Sequence, residues 1–154
     1  MTYEEYRENR QTEFNALPIF FAFSNEQFEK ALNERGVTLE DAPNKVCKYG
    51  YGGFYLKSDA DIIKEYHKRD RDSELREMMN KDLDFAYGAF KYEMYNHEYP
   101  INWQGDWDVC NCFGECEYSD DKYGVDYLRE LGFSEAVIGQ YYKARRVVWA
   151  NDEW

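Results

Sequence analysis

The stretch "SELREMMNKDLDFAYGAFKYEMYNHEY", residues 73–99, constrains the fold most. Leu75, Met78, Met79, Leu83, Ala86, Ala89, Phe90 and Met94 recur near helical spacing, which places them on one apolar stripe. The spacing predicts one long helix, weakened at Gly88 and ended by Pro100. A chain built around such a helix must supply other elements to cover that stripe.

The remaining signals supply them. Thr2 and Glu5 fit the capping-box spacing, so a first helix runs through "YEEYRENRQTEFNAL" and ends near Pro18. "PIFFAF" reads as a buried strand or the core-facing tail of a loop. Ser24 and Gln27 repeat the capping spacing ahead of "NEQFEKALNER", whose Phe28, Ala31 and Leu32 share a face, and Gly36 closes that helix. "KVCKYGYGGFYLK" predicts a hairpin, because two β-prone segments flank a glycine-rich turn. A phosphate-cradling loop at "GYGG" would need a helix to follow it, and the strand-like "FYLK" follows instead. Ser58 is placed to cap the next helix, with Asp59 and Asp61 in its first turn. "YGVDYLREL" stops at Gly132, and "SEAVIGQYYKARRVVWA" follows Ser134 as a final helix. The expectation is a helix-rich α+β single domain over residues 1–154, with one small antiparallel sheet or hairpin.

Net charge is −12, and its distribution is uneven. From Tyr92 to Asp121 there is no Lys or Arg, while Glu93, Glu98, Asp106, Asp108, Glu115, Glu117, Asp120 and Asp121 all fall there. Such a field repels a nucleic-acid backbone, whose binding needs clustered Lys and Arg; it serves either solubility alone or a basic protein surface. No apolar run approaches the ~20 residues that span a bilayer, and the acidic "MTYEEYRENRQTE" lacks an apolar signal core. The expected compartment is the bacterial cytoplasm, where four cysteines stay reduced.

Three of those cysteines lie in "DWDVCNCFGECEYSDD", residues 106–121. Cys110, Cys112 and Cys116 could hold a metal with Cys47 or His97 as the fourth ligand, but C-x-C-x3-C departs from paired zinc knuckles. The expectation is therefore thiols without bound zinc, and no cofactor is called for. An EF-hand register from Asp106 through Asp108 to Glu117 would put Cys110 and Asn111 where an oxygen ligand and a glycine belong. Glu93 and His97 are four apart on one helical face and could pair or share a metal, although an H-E-x-x-H helix would need a second His. A capping role at the helix C-terminus is the alternative for His97, and His67 in "EYHKRDRD" reads as a solvated surface residue. Spacing alone provides no Ser-His-Asp grouping and no activated Cys-His pair.

The segments "EFNALPIFFAFSNEQFEKAL", "GGFYLKSDAD" and "YEMYNHEY" together resemble an uncharacterised family of small proteins from gut Firmicutes, their phages and mobile elements. The resemblance covers about residues 4–100, with 101–154 as an acidic, cysteine-containing segment followed by C-terminal helices. It implies context, an accessory protein of a phage or integrated element, and no activity. The expected function is binding of a basic protein surface, such as the nucleic-acid channel of a host defence nuclease, in the manner of anti-CRISPR and DNA-mimic inhibitors. Glu98, Asp106, Asp108, Glu115, Glu117, Asp120 and Asp121 would supply the charge, with Trp103, Trp107 and Tyr118 as aromatic anchors. The competing expectation is a metal-binding protein or small metal-dependent hydrolase using the 106–117 stretch with His97.

Overall fold

Local caps decide where the helices begin. In the computed structural model, which describes residues 1–151, Thr2 and Glu5 form the reciprocal bonds of a capping box: Glu5 N donates to Thr2 Oγ1 at 3.1 Å and Thr2 N to Glu5 Oε2 at 3.0 Å. Helix α1 (Tyr3–Asn15) follows from it. Contacts divide the chain into two compact units, residues 9–69 and residues 1–8 with 70–154. The first turns of α1 therefore belong to the second unit.

The unit of residues 9–69 carries the sheet. Strands β1 (Phe20–Phe21), β2 (Val46–Tyr49) and β3 (Gly53–Leu56) pair antiparallel in the order β1-β3-β2. Phe20 lies opposite Phe54, and Val46 opposite Leu56. Helix α2 (Asn25–Glu34), capped by Ser24, adds buried Leu32 to a core of Phe20, Val37 and Ala42, with Phe28 and Phe54 packed against it. The short α3 (Ala42–Lys45) leads into β2. The glycines of "GYGG" have a steric reason. Gly52 takes a φ of +73°, and at Gly53 a Cβ would lie 2.1 Å from the Tyr49 carbonyl oxygen. Helix α4 (Ala60–Lys68) is not capped by Ser58, which lies inside a 3-10 turn over Lys57–Asp59. His67 is exposed, as expected, but it also stacks on Tyr49 and stands 2.8 Å from that hydroxyl.

The larger unit departs from the expected single long helix. The stretch forms α5 (Arg71–Lys81) and α6 (Leu83–Asn96), broken at Asp82. Asp82 is extended and its carboxylate accepts the Phe85 N–H at 3.1 Å, so a new N-cap outcompetes continuation of the old helix. Gly88 sits undisturbed inside α6. A 3-10 turn (Tyr99–Ile101) and α7 (Gly105–Cys110) lead to α8 (Gly124–Glu130) and α9 (Glu135–Trp149), which Ser134 caps as expected. Helix α9 packs along α6, and Phe90 meets Phe113, Phe133 and Tyr141 edge-on at 5.3, 5.8 and 5.1 Å. Phe90 is fully buried, a position where truncation to Ala costs ~3–5 kcal/mol.

Two glycines respond oppositely to the same substitution. Gly53→Ala forces a Cβ onto a backbone oxygen and lowers stability by ~1–3 kcal/mol. Gly88→Ala, in open space within a helix, raises it by ~0.5–1 kcal/mol. Urea unfolding midpoints of the two variants check this, and a stabilising Gly53→Ala contradicts the turn assignment.

Candidate functional site

The base-free window, residues 92–121, lies within the larger unit and is not one uniform acidic face. Asp106 is turned inward. Its Oδ1 accepts the Tyr99 and Tyr141 hydroxyls at 2.5 Å each, and its Oδ2 accepts the Gly124 N–H at 3.1 Å. Gly124 is needed there, since a Cβ would meet Tyr141 at 2.9 Å and the Asp106 carboxylate at 3.0 Å. Burial and the Asp106 carboxylate together hold the Tyr99 hydroxyl well above the usual tyrosine range. Asp108 is half-buried and accepts from Asn102 Nδ2 at 2.7 Å. An EF-hand at this position is excluded, because residues 105–110 are helical and Asp106 is committed to the tyrosines.

Glu98, Glu115, Glu117, Asp120 and Asp121 are exposed. Trp103 is 81% exposed, and its ring meets Tyr118 edge-on at 6.0 Å. Tyr118 in turn meets Trp107 at 5.9 Å and donates its hydroxyl to Asp120. Trp107 is half-buried, with its indole N–H donated to the Cys116 carbonyl at 2.7 Å. The three expected anchors thus meet at a cleft of ≈190 Å³, which Gln104, Asp120 and Lys122 also line. Only Trp103 offers most of its ring to solvent.

Beside that surface lies a buried polar cluster. Glu93 falls on the core side of α6 next to Met94 and is 2% exposed. Its Oε1 accepts the Tyr3 hydroxyl at 2.7 Å and Arg7 Nη1 at 2.8 Å, two groups one turn apart on α1. Arg7 also lies over the Tyr92 ring, 4.7 Å from its centroid. The other carboxylate oxygen, Oε2, accepts from Asn96 Nδ2 at 3.3 Å and lies 3.5 Å from both His97 Nε2 and Cys112 Sγ. Cys112 Sγ and His97 Nε2 are 3.2 Å apart. His97 is the C-cap of α6, so the capping expectation and the Glu93 pairing both hold. Glu98 follows it with a φ of +51°, which turns the chain sharply toward Pro100.

The four-residue set of Cys110, Cys112, Cys116 and His97 does not assemble. Only Cys112 and His97 meet, and Glu93 is their third neighbour. Cys110 is buried in the hydrophobic core, Cys116 directs its thiol to the Gly114 carbonyl, and all four cysteines are free. Tyr3 and Arg7 were not anticipated as site residues. The available signal was Glu93 itself, an acid where the apolar stripe of α6 continues.

Burial, and then the Glu93 carboxylate, push the Cys112 thiol up to about 12. At neutral pH it is a thiol, so Cys112 and His97 are not a resting thiolate–imidazolium pair of the cysteine-hydrolase kind. Burial, followed by Glu93, likewise raises the Tyr3 hydroxyl. Both are acids with raised folded-state values, so the unfolded chain loses these protons first as pH rises. The Tyr3 contribution to stability is complete up to its unfolded value of ~10 and falls above it. That of Cys112 is complete below the unfolded thiol value of ~8.5 and falls as pH climbs from there toward 12. Thermal midpoints should decline across that interval, and Cys112→Ser should make the decline shallower. An identical decline in the variant contradicts the assigned shift.

No curated protein and no solved structure matches the chain. A family profile does match, over residues 2–114, and it reaches past the expected limit near residue 100 to take in Cys110 and Cys112. Glu93, His97, Cys112, Tyr3 and Arg7 all fall inside it, and the chain belongs to DUF7659, a family of unknown function.

Proposed function

We propose that this chain is a small acidic interaction protein that binds a basic surface on a partner protein. The observation that carries the reading is Trp103, an indole 81% exposed in a 30-residue window without a Lys or Arg. Large aromatic rings supply contact energy at interface centres, and surrounding acids steer a basic partner and fix its register. The charge comes from Glu98, Glu115, Glu117, Asp120 and Asp121, while Asp106 and Asp108 hold the surface in shape from within. Trp107 and Tyr118 buttress Trp103 and wall the cleft into which a basic side chain would insert.

The narrower form of the proposal is an accessory protein of a phage or mobile element. It would act in a bacterial cytoplasm on the nucleic-acid channel of a defence nuclease. That form rests on the family resemblance and on complementary charge. Among the described residues, no helix is long and apolar enough to cross a membrane.

The test is kinetic, on the basic protein recovered by affinity capture from a bacterial host. Reversing Glu98, Glu115, Glu117 and Asp121 to Lys should slow association by ~10-fold or more and flatten its salt dependence. Thermal stability should change little, because exposed charges contribute little to it. Trp103→Ala should raise the dissociation rate by ~10-fold or more. Asp106→Asn should instead lower folding stability by ~2–3 kcal/mol, since it weakens charge-assisted bonds to buried groups. An unchanged association rate and salt slope after the four-residue reversal overturns the reading.

A further inference from the structure

We infer that Glu93 Oε2, His97 Nε2 and Cys112 Sγ form a three-ligand site for a borderline-soft divalent cation of the zinc class. The first support is metric. Zinc binds sulfur at about 2.3 Å and nitrogen or oxygen at about 2.0–2.2 Å, so the edges of its tetrahedron are about 3.4–3.6 Å long. The three donor atoms stand 3.5, 3.5 and 3.2 Å apart. A cation seated against that triangle reaches all three with donor movements of a few tenths of an ångström.

The second support is the division of labour within Glu93. One oxygen is held by Tyr3 and Arg7, and the other faces the triangle. Ligating carboxylates are commonly oriented in this way by donors that do not themselves touch the ion. Tyr3 and Arg7 are positioning residues on this account. They fix the rotamer of Glu93 and leave Oε2, which also accepts from Asn96 Nδ2 at 3.3 Å, facing the triangle with its second lone pair.

The third support is chemical. One thiol proton faces Oε2, Nε2 and the Asp108 carbonyl at the same time. A cation at the centre of the triangle uses the sulfur, nitrogen and carboxylate lone pairs together, and the thiol proton leaves to solvent as the thiolate binds. The donor set also selects the ion. Sulfur and imidazole favour zinc and its transition-metal neighbours, whereas magnesium and calcium require oxygen. The site opens through His97, whose side chain is 31% exposed, and three protein ligands leave a fourth position for water or an added donor.

This ligand set differs from the one that cysteine spacing suggests. It is E-x3-H on one helix, with a single cysteine fifteen residues further on. It uses none of the exposed residues of the proposed interaction surface, so the two readings stand or fall separately.

The test uses full-length protein made without a histidine tag, stripped with a chelator and titrated with zinc or cobalt(II) chloride. One zinc should bind per chain and raise the thermal midpoint, while calcium chloride should not. Cobalt should give the intense visible bands of tetrahedral coordination and an ultraviolet thiolate-to-metal band. Cys112→Ser should abolish the thiolate band and weaken zinc binding by ~100-fold, and Tyr3→Phe should weaken it by ~10-fold. Cys116→Ser should change neither, and circular dichroism of each variant shows that it is folded. Absence of stoichiometric zinc in folded wild-type protein overturns the inference. So does a thiolate band that survives Cys112→Ser or disappears in Cys116→Ser.

Discussion

A carboxylate buried in an apolar core must be compensated, and in the larger unit that demand falls on Glu93. An isolated buried carboxylate is so costly that proteins pair it, bind it to a metal or keep it protonated. Here Arg7 and Tyr3 answer for one oxygen, and Asn96, His97 and Cys112 gather at the other. The requirement reaches far along the chain. It fixes the start of α1 within this unit, sets the side-chain direction at the end of α6, and gives the turn after α7 a polar target. Removing Arg7 would take away the one guanidinium at this carboxylate and leave Tyr3, Asn96, His97 and Cys112 around it.

A second internal carboxylate performs the same task with different partners. Asp106 draws Tyr99, Tyr141 and the N-terminus of α8 onto one carboxyl group, and Arg145 donates to the Tyr99 hydroxyl at 3.1 Å. The strongly acidic composition therefore mixes two populations. Some carboxylates organise the interior, and others remain outside, where, apart from helix caps such as Glu5 and Asp82, they steer, repel or solubilise. Net charge alone does not separate them. The proposed docking surface depends on the second population, and its shape depends on the first.

Much of the fold could be read from the sequence wherever a decision is local. Thr2 with Glu5, Ser24 with Gln27, and Ser134 each satisfy backbone donors within three residues, and their helices start where expected. The hairpin was readable because its turn needs glycine on steric grounds. The unforeseen break at Asp82 shows the limit of periodicity, which carries no information about a capping carboxylate inside a continuous apolar pattern. The site was readable in part. Glu93 and His97 share a helical face by spacing alone, whereas Tyr3 and Arg7 join them across separations of 90 and 86 residues. Asp106 read as a surface acid because its neighbours are acidic, while its partners lie 7, 18 and 35 residues away.

The buried Glu93 cluster as a cation site is the claim on which the rest of the chemistry turns. Anomalous diffraction at the zinc absorption edge, from crystals of untagged protein grown with zinc, tests it most directly. The account predicts one strong peak per chain within about 2.0–2.3 Å of Glu93 Oε2, His97 Nε2 and Cys112 Sγ, with Tyr3 and Arg7 still bonded to the opposite oxygen of Glu93. A fully ordered cluster with no peak, or a peak at Cys110 or Cys116 instead, would contradict it.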